Sequence, residues 1–311
     1  MANGRKIAES AALLAVFCIL VFLSIQLPVL GTLLLFILPL PFILVAGKHS
    51  LGWALGVLAA GTLVSSIIGT LLFAPVALLF GGTGVVIGYH IRKGSSFGTI
   101  YISSVLTFLI GFTGLFVFSI VFLEQNVLEA TVEMFKDSLK QSSQLLEGLG
   151  QNPDEAMKRL NDSLDMLMVL APSLFVVTSM VMVILILLAV TPIIKRLGRI
   201  GIKWPPIRNL QLPKSILWYY LIVLILSFFI DVSQKDTIYM VIVNILYVLQ
   251  LLLLLQGYSL LFFYSRLKGW PKALTWFIVI LSFLVPIFHY AVRILGIMDL
   301  GFKLRETLSK K

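Results

Sequence analysis

The ionisable side chains of this sequence lie near the ends of its long apolar stretches rather than within them. Glu9 and Asp231 lie close to such ends, and His289 and Arg293 come late in the last stretch. A charged side chain deep in a membrane is costly and usually marks a proton relay or an ion pathway. The centres of the first eight stretches contain no Asp, Glu, Lys or Arg. This argues against a pump that uses a buried carboxylate relay.

No sequence motif typical of an enzyme active site is present. The chain has no His-Glu-x-x-His zinc motif and no Gly-rich phosphate loop followed by Lys-Ser or Lys-Thr. His49, His90 and His289 are far apart in sequence, and the single cysteine, Cys18, lies within an apolar stretch. We therefore expect no catalytic residue, no cofactor, no metal site and no disulfide within the chain. Any ATP-driven activity would need a partner ATPase.

Uncharged polar residues are few in the apolar stretches, and three of them are candidates for lining a cavity. Gln26 ends the first stretch, and Asn244 and Gln250 share a later one. Such side chains either line a cavity or hydrogen-bond to a neighbouring helix, and a bond of the second kind is worth roughly 0.6–2 kcal/mol. The sequence leaves both alternatives open.

Small residues recur at helical spacing near the start of the chain. Ala8 and Ala12 are four residues apart, as are Ala11 and Ala15. On a helix this spacing makes a smooth face that allows another helix to approach closely. We predict that these four alanines dock a membrane partner, with packing inside the bundle as the alternative explanation of small residues.

The composition requires that these residues be positioned by membrane helices. Hydrophobic residues make up 59% of the 311 residues, charged residues only 12%, and the mean hydropathy is +1.04. Apolar runs of 18 or more residues are long enough to cross a hydrocarbon layer of about 30 Å. Backbone hydrogen bonds must be satisfied within such a segment, so these runs are predicted to be helices. The fold class is therefore an all-α, polytopic transmembrane bundle.

Turn residues and short charged loops divide the chain into about nine predicted spans, or eight if one stretch fails to cross. The predicted spans are 8–27, 29–46, 51–69, 71–90, 97–122, 166–192, 215–231, 237–263 and 273–292.

The net charge of +10 is explained by loops that orient these helices, and nucleic-acid binding is not predicted. With the N-terminus in the cytoplasm, one set of loops collects the basic residues, while the opposite short loops carry little beyond Lys235. The basic loops include Arg5, Lys6, Lys48, Arg92, Lys93 and the segment 193–214. The pattern indicates a multi-pass protein of a bacterial plasma membrane with a cytoplasmic N-terminus.

The C-terminal tail conflicts with this orientation. Nine crossings put the tail outside, yet it carries Arg293, Lys303 and Arg305. Either one apolar stretch does not cross, or the ninth span violates the charge rule.

A mostly acidic segment, 123–165, separates the fifth and sixth predicted spans and falls on the extracytoplasmic side. Its apolar residues recur every three or four positions with charges between them, which is typical of amphipathic helix. Gly150 and Pro153 divide it, so a helical hairpin is predicted. The hairpin is interpreted either as a lid over the outer mouth of the bundle or as a pair of helices lying on the membrane surface.

The first 200 residues resemble a substrate-capture subunit of the energy-coupling factor transporters. The segment from Ala8 to Ala15 matches the Ala-x-x-x-Ala pattern of the first helix of those subunits, and the Gly-rich stretch 81–94 also looks like theirs. The resemblance implies a six-helix bundle that binds a ligand and docks on a scaffold subunit of the transporter. The almost wholly apolar spans depart from the polar pockets of those subunits.

Over its whole length the chain is more similar to the YybS-like family of bacterial membrane proteins, whose C-terminal signature resembles residues 296–305. That family is thought to be related to the capture subunits, with helices added. The resemblance implies a six-helix bundle in 1–200, including the outer hairpin 123–165, and appended transmembrane helices in 201–311.

Two functions follow as hypotheses. The first is a non-enzymatic substrate-capture subunit whose transport is energised by partner scaffold and ATPase subunits. The second is a membrane scaffold or assembly factor that does not transport, in which the basic loop 193–214, containing Trp204, and the outer hairpin bind other proteins. The ligand remains unidentified in either case.

Overall fold

In the computed structural model, the described part of the chain covers residues 2–69, 71, 73–148, 154–197, 202–229, 237–302 and 304–309. The regular structure of these residues is helical throughout, which confirms the predicted all-α membrane bundle. The helices are α1 (Ala2–Gln26), α2 (Pro28–Leu34), α3 (Leu40–Lys48), α4 (Leu51–Ile68), α5 (Phe73–Arg92), α6 (Phe97–Leu123), α7 (Val127–Gly148), α8 (Asp154–Val169), α9 (Ala171–Arg196), α10 (Ser215–Phe229), α11 (Thr237–Leu267), α12 (Lys272–Leu284), α13 (Pro286–Phe302) and α14 (Leu304–Ser309). A short 3-10 turn, Ile207–Asn209, precedes α10.

Six helices among the described residues are long and apolar enough to cross a membrane, namely α1, α4, α5, α6, α9 and α11. Many large apolar side chains on these and other helices face outward, such as Ile67 and Phe229, with 83% and 82% of their surface exposed. Exposed apolar surface on this scale is covered by lipid in a membrane protein. The chain is therefore in contact with the bilayer.

Three of the nine predicted spans differ in form from a single long helix. The stretch 29–46 forms the short helices α2 and α3 with a break between them. Pro39 and Pro41 lie at the start of α3. The stretch 215–231 contains the 15-residue α10. The stretch 273–292 is divided at Val285 into α12 and α13, which meet at an angle of 115°, so that at most seven spans are counted when this pair is taken as one.

The chain forms two compact units. Unit 1 contains Met1–Met168 and Leu174–Lys203, and unit 2 contains Val169–Ser173 and Trp204–Lys311. In sequence the main division lies between Lys203 and Trp204.

The core of unit 1 lies where α3 and α5 cross. A Cβ on Gly84 would overlap the backbone carbonyl of Pro39, and one on Gly88 would overlap that of Ile43, so the two backbones touch. The inner face of α1 closes this core through Phe17, whose ring contacts Phe42 edge to face at 4.8 Å. Close packing of this kind is the main source of helix association in lipid, where the hydrophobic effect between helices is weak.

The predicted outer hairpin corresponds to α7 and α8. The Asn126 side chain accepts a hydrogen bond from the backbone N–H of Leu128 at 3.2 Å and so caps the start of α7. An ion pair of 2.7 Å between Lys136 and Asp165 joins the two helices. The predicted break at Gly150 and Pro153 lies outside the described residues. Whether the hairpin is a lid or lies on the membrane stays a prediction.

In unit 2 the long helix α11 packs against α13 at two glycines. A Cβ on Gly257 would overlap the carbonyl oxygen of Val292, and a Cβ on Gly296 would overlap that of Leu253. Each glycine therefore lies directly against the backbone of the other helix. This crossing brings the end of α13 and the residues after it alongside α11.

Candidate functional site

The four alanines predicted to dock a partner all lie on the outer face of α1. Ala8, Ala11, Ala12 and Ala15 are exposed. The opposite face of α1 is committed to unit 1 because Phe17 and Val21 are fully buried there. With 3.6 residues per turn, the burial of one face leaves the alanines on the other.

Polar contacts fix this orientation of α1 near its start. The Ser10 hydroxyl accepts a hydrogen bond from the Trp53 indole N–H at 2.9 Å. Lys6 lies over the same indole ring, 4.1 Å from its centroid. Glu9 forms an ion pair with Lys48 at the end of α3. Rotation of α1 about its axis would break these contacts, so the alanine face is held outward.

A groove of about 320 Å³ runs between α1 and α4 beside the alanine face. Small residues line much of it, namely Ala11, Gly52, Gly56 and Ala60. A Cβ on Gly52 or Gly56 would meet no atom within 4 Å, so both glycines face open space. The spacing of Gly52, Gly56 and Ala60 is four residues, which is the pattern that permits close approach of a second helix.

The structure separates two kinds of small residue that the sequence presents alike. Gly61 and Gly81 are packed against the Phe42 ring and serve the core of unit 1. Gly52 and Gly56 belong instead to the open groove, which we call the docking groove together with the alanine face. Sequence reasoning missed Gly52, since its spacing to Gly56 becomes informative only when both are seen to point away from the core.

The three candidate cavity residues occupy different environments. Gln26 is exposed at the end of α1. Gln250 is half-buried in α11, and its side chain has no hydrogen bond to any residue in the described ranges. Asn244 is buried, and its carboxamide is hydrogen-bonded to three backbone groups. None of the three residues lines the cavities of about 240, 140, 320 and 310 Å³ in the two units.

Asn244 holds the junction between α8 and α9. Its carboxamide accepts from the backbone N–H of Ser173 at 2.8 Å and donates to the carbonyls of Val169 at 2.7 Å and Met240 at 2.8 Å. Val169 ends α8 and Ser173 lies in the first turn of α9. This is the second of the two alternatives that the sequence left open, a hydrogen bond between helices.

A buried polar network in unit 2 was not predicted. Arg305 donates from Nε to the Asp299 carboxylate at 2.9 Å, and their side chains are only 8% and 3% exposed. The same carboxylate accepts a hydrogen bond from the Gln256 amide of α11. The remaining guanidinium nitrogens donate to the carbonyl of Arg208 at 2.7 Å and to the Ser259 hydroxyl at 2.9 Å. Pairing of this kind is what allows two charges to be buried.

The network also holds the loop before α10. The Ser259 hydroxyl lies 2.7 Å from the carbonyls of both Ile207 and Leu210, and it can donate its single proton to either. The backbone N–H of Leu212 donates to the Gln256 side chain at 2.9 Å. A cavity of about 140 Å³ beside these groups is lined by Gln211, Leu212, Lys214, Gln256, Asp299, Leu300 and Arg305. We call this arrangement the loop lock, because it fixes 207–212 against α11.

The loop lock bears on the conflict over the C-terminal tail. Arg208 binds Arg305, which follows α13, and it also lines a cavity with Lys272, which begins α12. The start of the bent pair α12–α13 and the residue after it therefore lie at the same loop. A bent pair whose two ends lie at one loop would put the basic tail on the side of the basic loop, as the charge rule requires.

The residues in the described ranges form no group of three or more His, Cys, Asp or Glu side chains that could hold a metal ion. The site consists of a docking groove in unit 1 and a loop lock in unit 2. The first is an open face of small residues, and the second holds the basic loop before α10 in place.

Comparison with known proteins agrees with the helical membrane architecture. The family described as "Predicted membrane protein (DUF2232)" matches residues 15–300. The Bacillus subtilis (strain 168) protein described as "Uncharacterized protein YybS" is 31% identical over 310 residues, which is 99% of this chain and 100% of the relative. No solved structure matches the chain. The predicted YybS-like resemblance is confirmed, and the chain belongs to the DUF2232 family of multi-pass membrane proteins.

Proposed function

We propose that this protein is a subunit of a membrane complex that docks on an integral membrane partner through the docking groove. The observation that carries this proposal is that α1 turns four alanines outward, next to open glycines of α4. A helix pressed against lipid alone gains nothing from such a face, whereas a partner helix gains close van der Waals contact along it.

In its specific form, the proposal is a substrate-capture subunit of a transporter, with scaffold and ATPase subunits supplied by partners. The alanine face lies on the first helix, near the end that the charge pattern assigns to the cytoplasm, where an ATPase would act. The α7–α8 hairpin follows α6 at the opposite end, where a lid over an extracytoplasmic ligand site would be needed. The N-terminus of the protein would then be in the cytoplasm of a bacterial cell.

The test is affinity purification of the full chain from native membranes in mild detergent, using Ala12→Trp and Gly56→Leu. Both substitutions fill the docking groove and should remove the partner. Ile110→Trp is the matched control, since Ile110 lies on α6 with 74% of its surface exposed and outside the groove. Co-purification of an ATPase and a membrane scaffold with wild type and Ile110→Trp, but with neither groove variant, would support the capture subunit.

A scaffold or assembly factor is the second candidate, and the loop lock favours it. The lock holds 207–212 rigidly while Trp204, Pro205 and Pro206 remain exposed just before it. A fixed, exposed basic loop is suited to protein recognition because little freedom is lost on binding. A stable complex that contains no ATPase and depends on the groove would favour this candidate. If both groove variants retain every protein that co-purifies with wild type, both candidate functions are contradicted.

A further inference from the structure

A second cavity in unit 2 gathers positive charge next to aromatic rings. It has a volume of about 240 Å³ and lies between the loop before α10 and the turn that joins α11 to α12. Arg208, Arg266 and Lys272 contribute its basic side chains, and Phe262, Trp270 and Trp276 contribute its rings. No Asp or Glu is among the described residues that line it.

Among the residues that the structure describes, the three cationic groups have no anionic partner. Across the described ranges, the side chains of Arg208, Arg266 and Lys272 make no ion pair and no hydrogen bond. This contrasts with Arg305, which follows α13 and whose guanidinium donates to the Asp299 carboxylate, the Arg208 carbonyl and the Ser259 hydroxyl. Three like charges around one cavity repel one another, and an anion in the cavity relieves that repulsion.

Specific backbone and ring contacts hold the aromatic side chains of this cavity in place. Gly269 adopts a left-handed conformation, with φ of 68°, and lets the Trp270 N–H return to the carbonyl of Ser265 at 2.9 Å. This closes α11 and places the Trp270 ring edge to face with Tyr264 at 5.5 Å. The Trp276 ring is likewise held against Phe262 at 5.4 Å.

The floor of the cavity also favours an anion. Ser265 and Thr275 are buried there and hydrogen-bond to each other through their hydroxyls. Lys272 is the first residue of α12, a helix of 13 residues. The first N–H groups of a helix have no acceptor within it and carry the positive end of its dipole.

We propose that this cavity binds the phosphodiester headgroup of an anionic phospholipid. A soluble phosphate needs the basic side chains alone, whereas a lipid also needs an apolar wall for its glycerol and upper acyl chains. The indole rings and Phe262 supply that wall at the ends of two apolar helices, where tryptophan marks the edge of a bilayer. Basic pockets between helices on the cytoplasmic side of a membrane are suited to acidic headgroups.

Native mass spectrometry of the delipidated full-length protein tests this assignment. The protein is incubated with equal amounts of phosphatidylglycerol and phosphatidylcholine, and the retained lipids are counted. Wild type should retain phosphatidylglycerol over phosphatidylcholine by on the order of 100-fold, since each basic side chain near a membrane surface contributes roughly fivefold. The preference should fall with added salt.

The variant Arg208→Gln/Arg266→Gln/Lys272→Gln should lose the preference. The control Arg5→Gln/Lys195→Gln/Arg196→Gln removes the same charge from exposed residues of unit 1 and should keep it. Arg266→Gln alone, expected to lose about fivefold, serves if the triple variant does not fold.

Equal retention of the two lipids by wild type would overturn the proposal, as would equal losses in the two triple variants. Displacement of phosphatidylglycerol by inorganic phosphate at comparable concentration would reassign the cavity to a soluble phosphate ester and overturn the lipid assignment.

Discussion

Arg305 donates a hydrogen bond of 2.7 Å to the backbone carbonyl of Arg208, a residue 97 positions earlier in the chain. The bond ties the segment after α13 to the loop before α10. Asn244 and Ser259 lie on α11 fifteen residues apart, and they bind the α8–α9 junction and this loop, respectively. At 1.5 Å per residue, the two anchoring points are about 22 Å apart along α11. Residues 169–173 and the loop before α10 are therefore anchored at well separated positions along that helix.

The charge pattern and the loop lock together make a prediction about membrane sidedness. In a Cys18→Ala background, cysteines introduced as Asn209→Cys and Leu308→Cys should have the same accessibility to a membrane-impermeant maleimide in intact cells. Lys140→Cys in α7, whose side chain is 75% exposed, should have the opposite accessibility. If the accessibility of Leu308→Cys matches that of Lys140→Cys rather than that of Asn209→Cys, the bent pair α12–α13 crosses the membrane and our topology is wrong.

Breaking the buried ion pair should destabilise the protein strongly. Arg305→Met leaves the Asp299 carboxylate buried without its cation, and Asp299→Leu leaves the guanidinium without its anion. Removal of one partner from a buried pair costs about 3–5 kcal/mol, and unfolding in detergent measures it. The double variant should lose less than the sum of the two single losses, since no unpaired charge remains.

The exposed pair between Lys136 and Asp165 provides the matched control for that experiment. These side chains are 35% and 63% exposed, so solvent screens their attraction. Lys136→Met and Asp165→Leu should couple by about 1 kcal/mol or less in a double-mutant cycle. A larger coupling here than at Asp299 and Arg305 would contradict the importance of burial.

The same substitution should have opposite effects at different glycines. Gly257→Ala and Gly296→Ala push a methyl group into a carbonyl of the facing helix and should cost about 1–3 kcal/mol. Gly82→Ala and Gly114→Ala meet no atom within 4 Å and should be neutral or stabilising by up to about 1 kcal/mol, because alanine is the better helix former. Thermal melting of the four variants in one detergent compares them directly. Equal melting temperatures would show that α11 and α13 do not touch at these glycines.

Asn244 and Gln250 should respond differently to replacement by leucine. Asn244→Leu leaves the Ser173 N–H and the Val169 carbonyl without their partner, which should cost about 1–3 kcal/mol. Gln250→Leu removes no hydrogen bond within the described residues and should change the unfolding free energy by about 0.5 kcal/mol or less. If Gln250→Leu is the more damaging variant, Gln250 has a role that its position on α11 does not reveal.

The long spans could be predicted from sequence because membrane insertion depends on local hydrophobicity. The stretches 51–69 and 97–122 are apolar, uncharged and long, and they form α4 and α6. The form of the last stretch depends on distant residues. Pro286 indicates a break, but the angle of 115° also reflects the packing of α13 against α11 at Gly257.

The candidate sites also differ in whether local sequence or distant residues determine them. The spacing of Ala8 and Ala12 is a local signal, and both alanines are exposed on α1, while their docking of a partner stays a prediction. The sequence places Arg305 in a basic tail and gives no sign of its network with Asp299, since Gln256 is 43 residues before Asp299 and on another helix. Such a network becomes visible only when tertiary structure brings its members together.

The loop lock has a consequence for the biogenesis of the protein. Arg208 leaves the ribosome 97 residues before Arg305, which corresponds to roughly 5–20 s of bacterial translation. During that interval α10 and α11 enter the membrane while the basic loop before them lacks the guanidinium that later binds it. The loop is therefore most accessible to chaperones and proteases while the last hundred residues are being made, and its closure reports that the rest of unit 2 has been inserted.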